Sequence, residues 1–379
     1  MKDIIYLDNA STTPLSSEVL DSMLPYLTSN FGNANSVHQL GRKAVDGLDF
    51  ARETVAKIIG ANINEVYFTS GGTESDNFAI RGAFYANDKK KKFVTSSIEH
   101  PAVLQTALEL EKQGAEVIKI KPNKKGIVNP VDFEKQDLSN AFLVSLMLAN
   151  NEIGTFQPVE EVASICKKYG AISFTDAVQA VGVCDINVKE LGVDMMAFSG
   201  HKFNGPKGVG VLYIKSGTAI SPQITGGHQE RLKRGGTSNV AGAVGLATAL
   251  KISRRNLNDN VNKLKTLKDL LINGLITSGL DVKVNGDETK ILPTIASVTF
   301  NGVDANALLC ALDLNGVCVS LGSACSSGSV EPSYVLKEIG LSDRDAKSTL
   351  RFSLGVQNTK AEIENAIKII KSCVNSLQS

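Results

Sequence analysis

Apolar and polar positions follow two textures along the chain. Between about residues 50 and 215, short β-rich runs recur between stretches of helical periodicity. Val66-Tyr67-Phe68-Thr69 leads into Gly71-Gly72 and a helical pattern ending near Ala86, and Phe93-Val94-Thr95 precedes a helix read from Pro101 to Gln113. Further strands are expected at Glu116 to Ile120, Leu143 to Leu148, Ala171 to Thr175, Met195 to Ser199 and Val209 to Ile214. Strands alternating with amphipathic helices predict an α/β fold, with a largely parallel sheet covered on both faces. In such folds ligands gather at the strand ends and in the loops that follow.

After Gly242 the texture changes. A long charged helical pattern runs from about Ala243 to Ser278, followed by strand-like Ala296 to Phe300 and Val317 to Ser320, and an amphipathic helix from Lys360 to Val374. This reads as a smaller α+β domain, residues 257–379, joined by residues 1–15; residues 16–256 form the larger domain. A chain of 379 residues fits two domains.

Charge adds little to this picture. Lys plus Arg total 40 against 39 Asp plus Glu, which argues against direct binding of nucleic acid or an acidic membrane surface. The densest run, Lys89 to Lys92, reads as a solvated loop. No apolar segment approaches a signal-peptide core or membrane span, so a cytoplasmic location is expected. The six cysteines form no C-x-x-C pair, and the four histidines lack metal-ligand spacing, so no metal is expected.

Candidate chemistry concentrates at strand ends. In Ser199-Gly200-His201-Lys202-Phe203-Asn204-Gly205-Pro206-Lys207-Gly208, a lysine amine lies beside Ser and His in a turn that lets backbone approach a ligand. A solvated loop lysine is the blander reading. Asp176-Ala177-Val178-Gln179 places a carboxylate after a buried strand, suited either to a cofactor's ring nitrogen or to capping a short helix. Ser70-Gly71-Gly72-Thr73-Glu74-Ser75-Asp76-Asn77 reads as strand, glycine turn and helix start, an anion site or an ordinary N-cap. His100 in Glu99-His100-Pro101 stands at another strand-to-helix junction. Cys325, among small residues in Gly322-Ser323-Ala324-Cys325-Ser326-Ser327, suits an accessible nucleophile, whereas the other five cysteines sit in apolar or helical surroundings. Arg351, within Leu350-Arg351-Phe352, needs a carboxylate partner if buried, either structural or from a substrate.

In this order the segments resemble the cysteine desulfurases of the NifS/IscS type, within the class V aminotransferase-like group of fold-type I enzymes that use pyridoxal 5'-phosphate (PLP). Tyr6 to Pro14, Asn150-Asn151-Glu152-Ile153-Gly154, Arg234-Gly235-Gly236-Thr237 and Arg351 to Gly355 extend the resemblance over almost the whole chain. It implies a fold-type I PLP-transferase, with a mostly parallel seven-stranded sheet in the large domain and the cysteine loop in the small one. It further implies Lys202 as the Schiff-base lysine, Asp176 as partner of the pyridine nitrogen, Gln179 at the ring hydroxyl and His100 on the ring face. Gly72, Thr73, Ser199 and His201 would hold the phosphate, with Thr237 reaching the phosphate of a neighbouring subunit in a homodimer. Asn151, which also lies at the cofactor, would share the substrate carboxylate with Arg351. Cys325 would form the persulfide.

The implied reaction converts L-cysteine to L-alanine and passes sulfur through Cys325 to an acceptor, such as an iron–sulfur scaffold or a tRNA thiolase. Glu331-Pro332-Ser333-Tyr334 after the cysteine resembles the long-loop branch. Selenocysteine lyase, or another class V lyase or aminotransferase, is the alternative. Leu232 and Ser238 depart from the pattern, standing where Gly and an acidic residue are expected.

Overall fold

Strand β1 (Ile5–Tyr6) is followed by β2 (Val66–Thr69), β3 (Lys92–Ser96), β4 (Glu116–Ile120), β5 (Ala141–Ser145), β6 (Ile172–Asp176), β7 (Met195–Ser199) and β8 (Gly210–Ile214). The structure is a computed structural model that describes residues 4–322 and 331–378. β2 to β8 form one seven-stranded sheet in the order β2-β8-β7-β6-β5-β3-β4. Every pairing is parallel except those of β8, which is antiparallel to β2 and β7. The expected sheet is therefore present, with one reversed strand.

The strand sequences explain the layering. Along β7, Met196 and Phe198 enter one core while Met195 and Ala197 enter the other, the period-two alternation of a sheet buried on both faces. β5, β7 and β8 are buried at every position, whereas edge strand β4 carries Glu116 and Lys119 exposed. Charge on an edge strand discourages further pairing.

β9 (Val282–Asn285), β10 (Ile295–Phe300) and β12 (Thr349–Ser353) form an antiparallel sheet with β10 central, and β11 (Val317–Cys318) pairs in parallel with β1. Helices Leu257–Thr277, Ala305–Leu314 and Lys360–Gln378 bury their apolar faces with these strands in a separate core, to which Ile5 and Leu7 belong.

Three local expectations are corrected. β5 starts at Ala141 and ends at Ser145: Leu146 and Leu148 still bond the β6 carbonyls of Phe174 and Asp176, but the Met147 N–H goes to the Glu99 carboxylate instead of a strand carbonyl. The helical pattern near 243–278 is two helices, Val240–Arg255 and Leu257–Thr277, separated at Asn256. The lysine run is not wholly a solvated loop: Lys92 opens β3, and its buried side chain donates to the carbonyls of Gln136 and Asp137.

The segment before Thr237 carries unusual backbone. Glu230, Arg231 and Leu232 have φ of 42°, 54° and 65°, a region that favours glycine. Leu232, noted above as a departure from the family pattern, thus occupies a position where glycine would be less strained. Buried contacts hold the turn: Arg52 forms two 2.8 Å bonds to Glu230, whose carboxylate also accepts the Phe68 N–H. Arg231 lies 4.2 Å over the Tyr67 ring and donates to the Val66 carbonyl. With both side chains of the Arg52–Glu230 pair at 10% exposure or less, removal of one partner leaves a buried charge uncompensated. Glu230→Ala is expected to lower stability by about 3–5 kcal/mol, and adding Arg52→Ala should recover part of it. Denaturant unfolding of the two variants checks this; a loss below about 1 kcal/mol, in the range of exposed pairs, would contradict the account.

Candidate active site

The C-terminal ends of the parallel strands converge on a cavity of about 260 Å³. Helix Gly72–Tyr85 begins at its wall, presenting Gly72 and Thr73. A Cβ on Gly72 would lie 2.9 Å from the Val178 side chain, and one on Gly210 would lie 2.7 Å from the Gly71 backbone. Gly210 is therefore required by backbone approach, whereas a side chain at Gly72 would have to displace Val178.

His100 caps helix Pro101–Glu111, its Nδ1 accepting the Ala102 N–H at 3.1 Å. The same histidine lines the cavity. With Nδ1 an acceptor, the neutral ring carries its proton on Nε2. Asp176 ends β6, and its Oδ1 accepts the Val178 N–H at 2.8 Å, while Gln179 donates to the Ala10 carbonyl. Ser199 ends β7 and lines the cavity with His201 and Lys202. Lys202 Nζ donates to the carbonyls of Ala10 at 2.5 Å and Ser11 at 3.0 Å, and His201 Nδ1 lies 3.1 Å from the Thr12 hydroxyl.

Arg351 enters from β12 at 2% exposure. Its partners are the carbonyls of Asn151 and Gly322, the Asp8 carboxylate at 3.0 Å and the Ser11 hydroxyl at 2.8 Å. The structural carboxylate posed as one alternative is therefore present. Nε of Arg351 still has no partner among the described residues, and Oδ1 of Asn151 has none either.

The structure brings Gly72, Thr73, His100, Asn151, Asp176, Gln179, Ser199, His201, Lys202 and Arg351 to this one cavity. Thr237 is exposed and stands outside it. Cys325 lies outside the described residues. Of the other cysteines, Cys166, Cys184, Cys318 and Cys373 have thiols pushed up by burial, the first two to about 12, which keeps them protonated. Cys310 is exposed, on helix Ala305–Leu314.

Electrostatics at the cavity are dominated by burial. It lowers His100, and it lowers His201 to about 4 with help from Lys202 and Lys207, so both rings are neutral at neutral pH. Burial raises Asp176, opposed by His100, by the Val178 N–H and by the charge of Lys202. Glu99 is raised by burial to about 7, although the Ser96 hydroxyl and Met147 N–H bond its Oε1. Glu152, on the same wall, is raised to about 6 by burial and accepts from the Ser333 hydroxyl.

Sequence reasoning missed Asp76, Glu152, Asp8 and Ser11 as contributors. The N-cap reading of Thr73 and Asp76 is corrected: the cap residue is Gly71, Thr73 is inside the helix, and Asp76 is buried against the cavity. Its four-residue spacing from Gly72, which puts both on one helical face, was the available signal. Asp76, His100 and Asp176 bring polar atoms within 4.8 Å of one another, although they are far apart in sequence.

A doubly covered sheet with a lysine, a carboxylate and a helix N-terminus at its strand ends defines a class of α/β protein that binds ligands at the carboxyl ends of its strands. The comparisons narrow this class. The family described as Aminotransferase class-V matches residues 5–366. The chain is 43% identical over 376 residues to "Cysteine desulfurase IscS" of Methanosarcina thermophila, covering 99% of this chain and 93% of that protein. A solved "NIFS-LIKE PROTEIN" superposes with a TM-score of 0.93 at 36% identity, covering 99% of this chain and all of that one. "SspA in complex with cysteine" superposes with a TM-score of 0.83 at 34% identity, covering 93% and 99%. The chain belongs to the class-V aminotransferase family, in the branch formed by the cysteine desulfurases.

A carboxyl raised in the folded state weakens folding as pH increases, because the unfolded chain releases its proton first. Glu99 should therefore reduce stability progressively as pH rises from about 4.5 to about 7, with no further loss above. In melting curves across this range, Glu99→Gln is expected to flatten the decline. A variant whose melting temperature tracks the wild type in parallel at every pH would contradict the shifted carboxyl.

Proposed function

We propose that this enzyme converts L-cysteine to L-alanine with PLP as cofactor and moves the sulfur atom onto Cys325. The observation that carries this is the meeting, in one buried cavity, of an amine, a strand-end carboxylate and a helix N-terminus with the unpartnered Nε of Arg351.

The residues fit the cofactor. Lys202 would hold its aldehyde carbon and Asp176 its pyridine nitrogen. Gln179 would meet the ring hydroxyl and His100 the ring face. The first turn of helix Gly72–Tyr85 offers N–H groups and the Thr73 hydroxyl to the phosphate, joined by Ser199 and His201. When bound, PLP supplies an electron sink that acidifies the substrate's α-carbon.

Arg351 would donate its remaining Nε–H to the substrate carboxylate, with Asn151 beside it. Asp8 and Ser11 accept from Nη2, and the carbonyls of Asn151 and Gly322 accept from Nη1, which together fix the guanidinium plane. The Lys202 amine is then the base for the α-proton, and neutral His100 assists its movement. The Cys325 thiolate takes the substrate sulfur as the Cβ–S bond breaks with its electrons left on carbon, giving alanine and a persulfide. Thiol exchange passes that sulfur to an acceptor protein, an iron–sulfur scaffold or a tRNA thiolase.

Exposed Thr237 fits a role at the phosphate site of a second subunit in a homodimer. The second apolar core supports a division into residues 16–256 and residues 1–15 with 257–379. No described helix is long and apolar enough to cross a membrane, and we place the enzyme in the cytoplasm.

Lys202→Ala should bind PLP without covalent retention, and borohydride should fix cofactor to the wild type only. Cys325→Ala should keep the yellow colour and still exchange the α-proton of L-cysteine with solvent, while alanine release falls by orders of magnitude. NMR of the substrate separates exchange from turnover. Full alanine release by Cys325→Ala would overturn the role of the thiol and favour a lyase.

A further inference from the structure

Asp76 lies on the fifth residue of helix Gly72–Tyr85, 1% exposed, and lines the cavity. Its Oδ1 has no hydrogen-bond partner among the described residues. On its own helix, Glu74 is turned away to a bidentate pair with Arg234. The titratable groups facing Asp76 come from neighbouring elements: Asp176 from the end of β6, and Glu99 and His100 from the connection after β3. Lys202, beyond β7, acts on Asp176 and His100.

Three buried carboxyls thus share a region in which the charge of Lys202 acts on Asp176 and His100. Two neighbouring carboxylates in a desolvated site do not both ionise, so one keeps its proton. Asp176 is favoured as the anion, because its Oδ1 already accepts the Val178 N–H and Lys202 stabilises its charge. Asp76 Oδ1 receives no such donor.

We propose that Asp76 is a positioning residue for Asp176, standing in the cavity as a neutral carboxylic acid that shares its O–H with the Asp176 carboxylate. Burial, and then the charges of Asp176 and Glu99, push Asp76 well above the usual carboxylate range, in keeping with this assignment. An O–H directed at Asp176 orients that carboxylate and reduces its basicity. A proton on the cofactor's ring nitrogen then stays on the ring rather than moving to Asp176. This rests on the reading of Asp176 as the ring-nitrogen partner of PLP.

The test is infrared spectroscopy of the full-length protein at neutral pH, with and without PLP, comparing wild type, Asp76→Asn and Asp76→Leu. The wild type is expected to show a protonated-carboxyl stretching band that is deuterium-sensitive and disappears in Asp76→Asn. Glu99→Gln, measured alongside, identifies any contribution from that group. Asp76→Asn keeps a donor and should bind PLP within about threefold of wild type, whereas Asp76→Leu fills the space without one and should bind about tenfold more weakly or worse. It should also shift the pH midpoint of the visible absorption band, which Asp76→Asn leaves in place. A band that survives Asp76→Asn, or Asn and Leu variants that behave alike, overturns the proposal. Wild-type protein that takes up no PLP overturns the cofactor reading instead, and the band of the cofactor-free protein still decides the protonation of Asp76.

Discussion

The burial of one guanidinium organises this molecule. Arg351 stands in the middle of a buried strand, and a charge at 2% exposure persists only where its donors are met. Its partners come from the N-terminal segment (Asp8 and Ser11), from the loop after β5 (Asn151) and from Gly322 at the edge of the cysteine-bearing segment. Satisfying Arg351 therefore draws three distant parts of the chain to one point. The Nε left over faces the demand that a carboxylate substrate would meet.

The same N-terminal segment ties this point to the large sheet. β1 pairs with β11, and Asp8 bridges to Ser353 beside the second core. A few residues later, the carbonyls of Ala10 and Ser11 receive Lys202, and Thr13 bonds the backbone of His201 and Asn204. Segment 5–14 thus fixes the distance between the two cations of the site. On the acidic side, burial raises the carboxyls of Asp76, Glu99 and Asp176, and the charge of Asp176 raises the other two further.

Much of this was legible in the residues, and the remainder depended on contacts that a single segment does not reveal. The strands of the large sheet stood out because runs such as Met195 to Ser199 are apolar on both faces and lead into glycine turns. The end of β5 is hidden from the residues because Leu146 to Ala149 stays buried and Leu146 and Leu148 still bond β6, while only the Met147 N–H turns away to Glu99. The break at Asn256 was hidden within an unbroken amphipathic pattern. At the site, Lys202, Asp176 and His100 each have a bland reading when taken singly, and it is their order along the chain with the other segments that sets them apart. Asp8 lies within the Tyr6 to Pro14 segment with nothing nearby to signal its role, since its partner Arg351 is 343 positions away. Asp76 was obscured because an acidic residue near a helix start has an ordinary capping explanation, which only its burial removes.

The central claim is that this cavity delivers the sulfur of L-cysteine to Cys325. The most direct measurement is mass analysis, without reductant, of the Cys325 peptide after the PLP-loaded enzyme has met L-cysteine, with alanine quantified in the same sample. The account predicts one added sulfur atom on Cys325 and an equal amount of L-alanine. Alanine formed while every Cys325 peptide stays unmodified, or sulfur found instead on exposed Cys310, would contradict it.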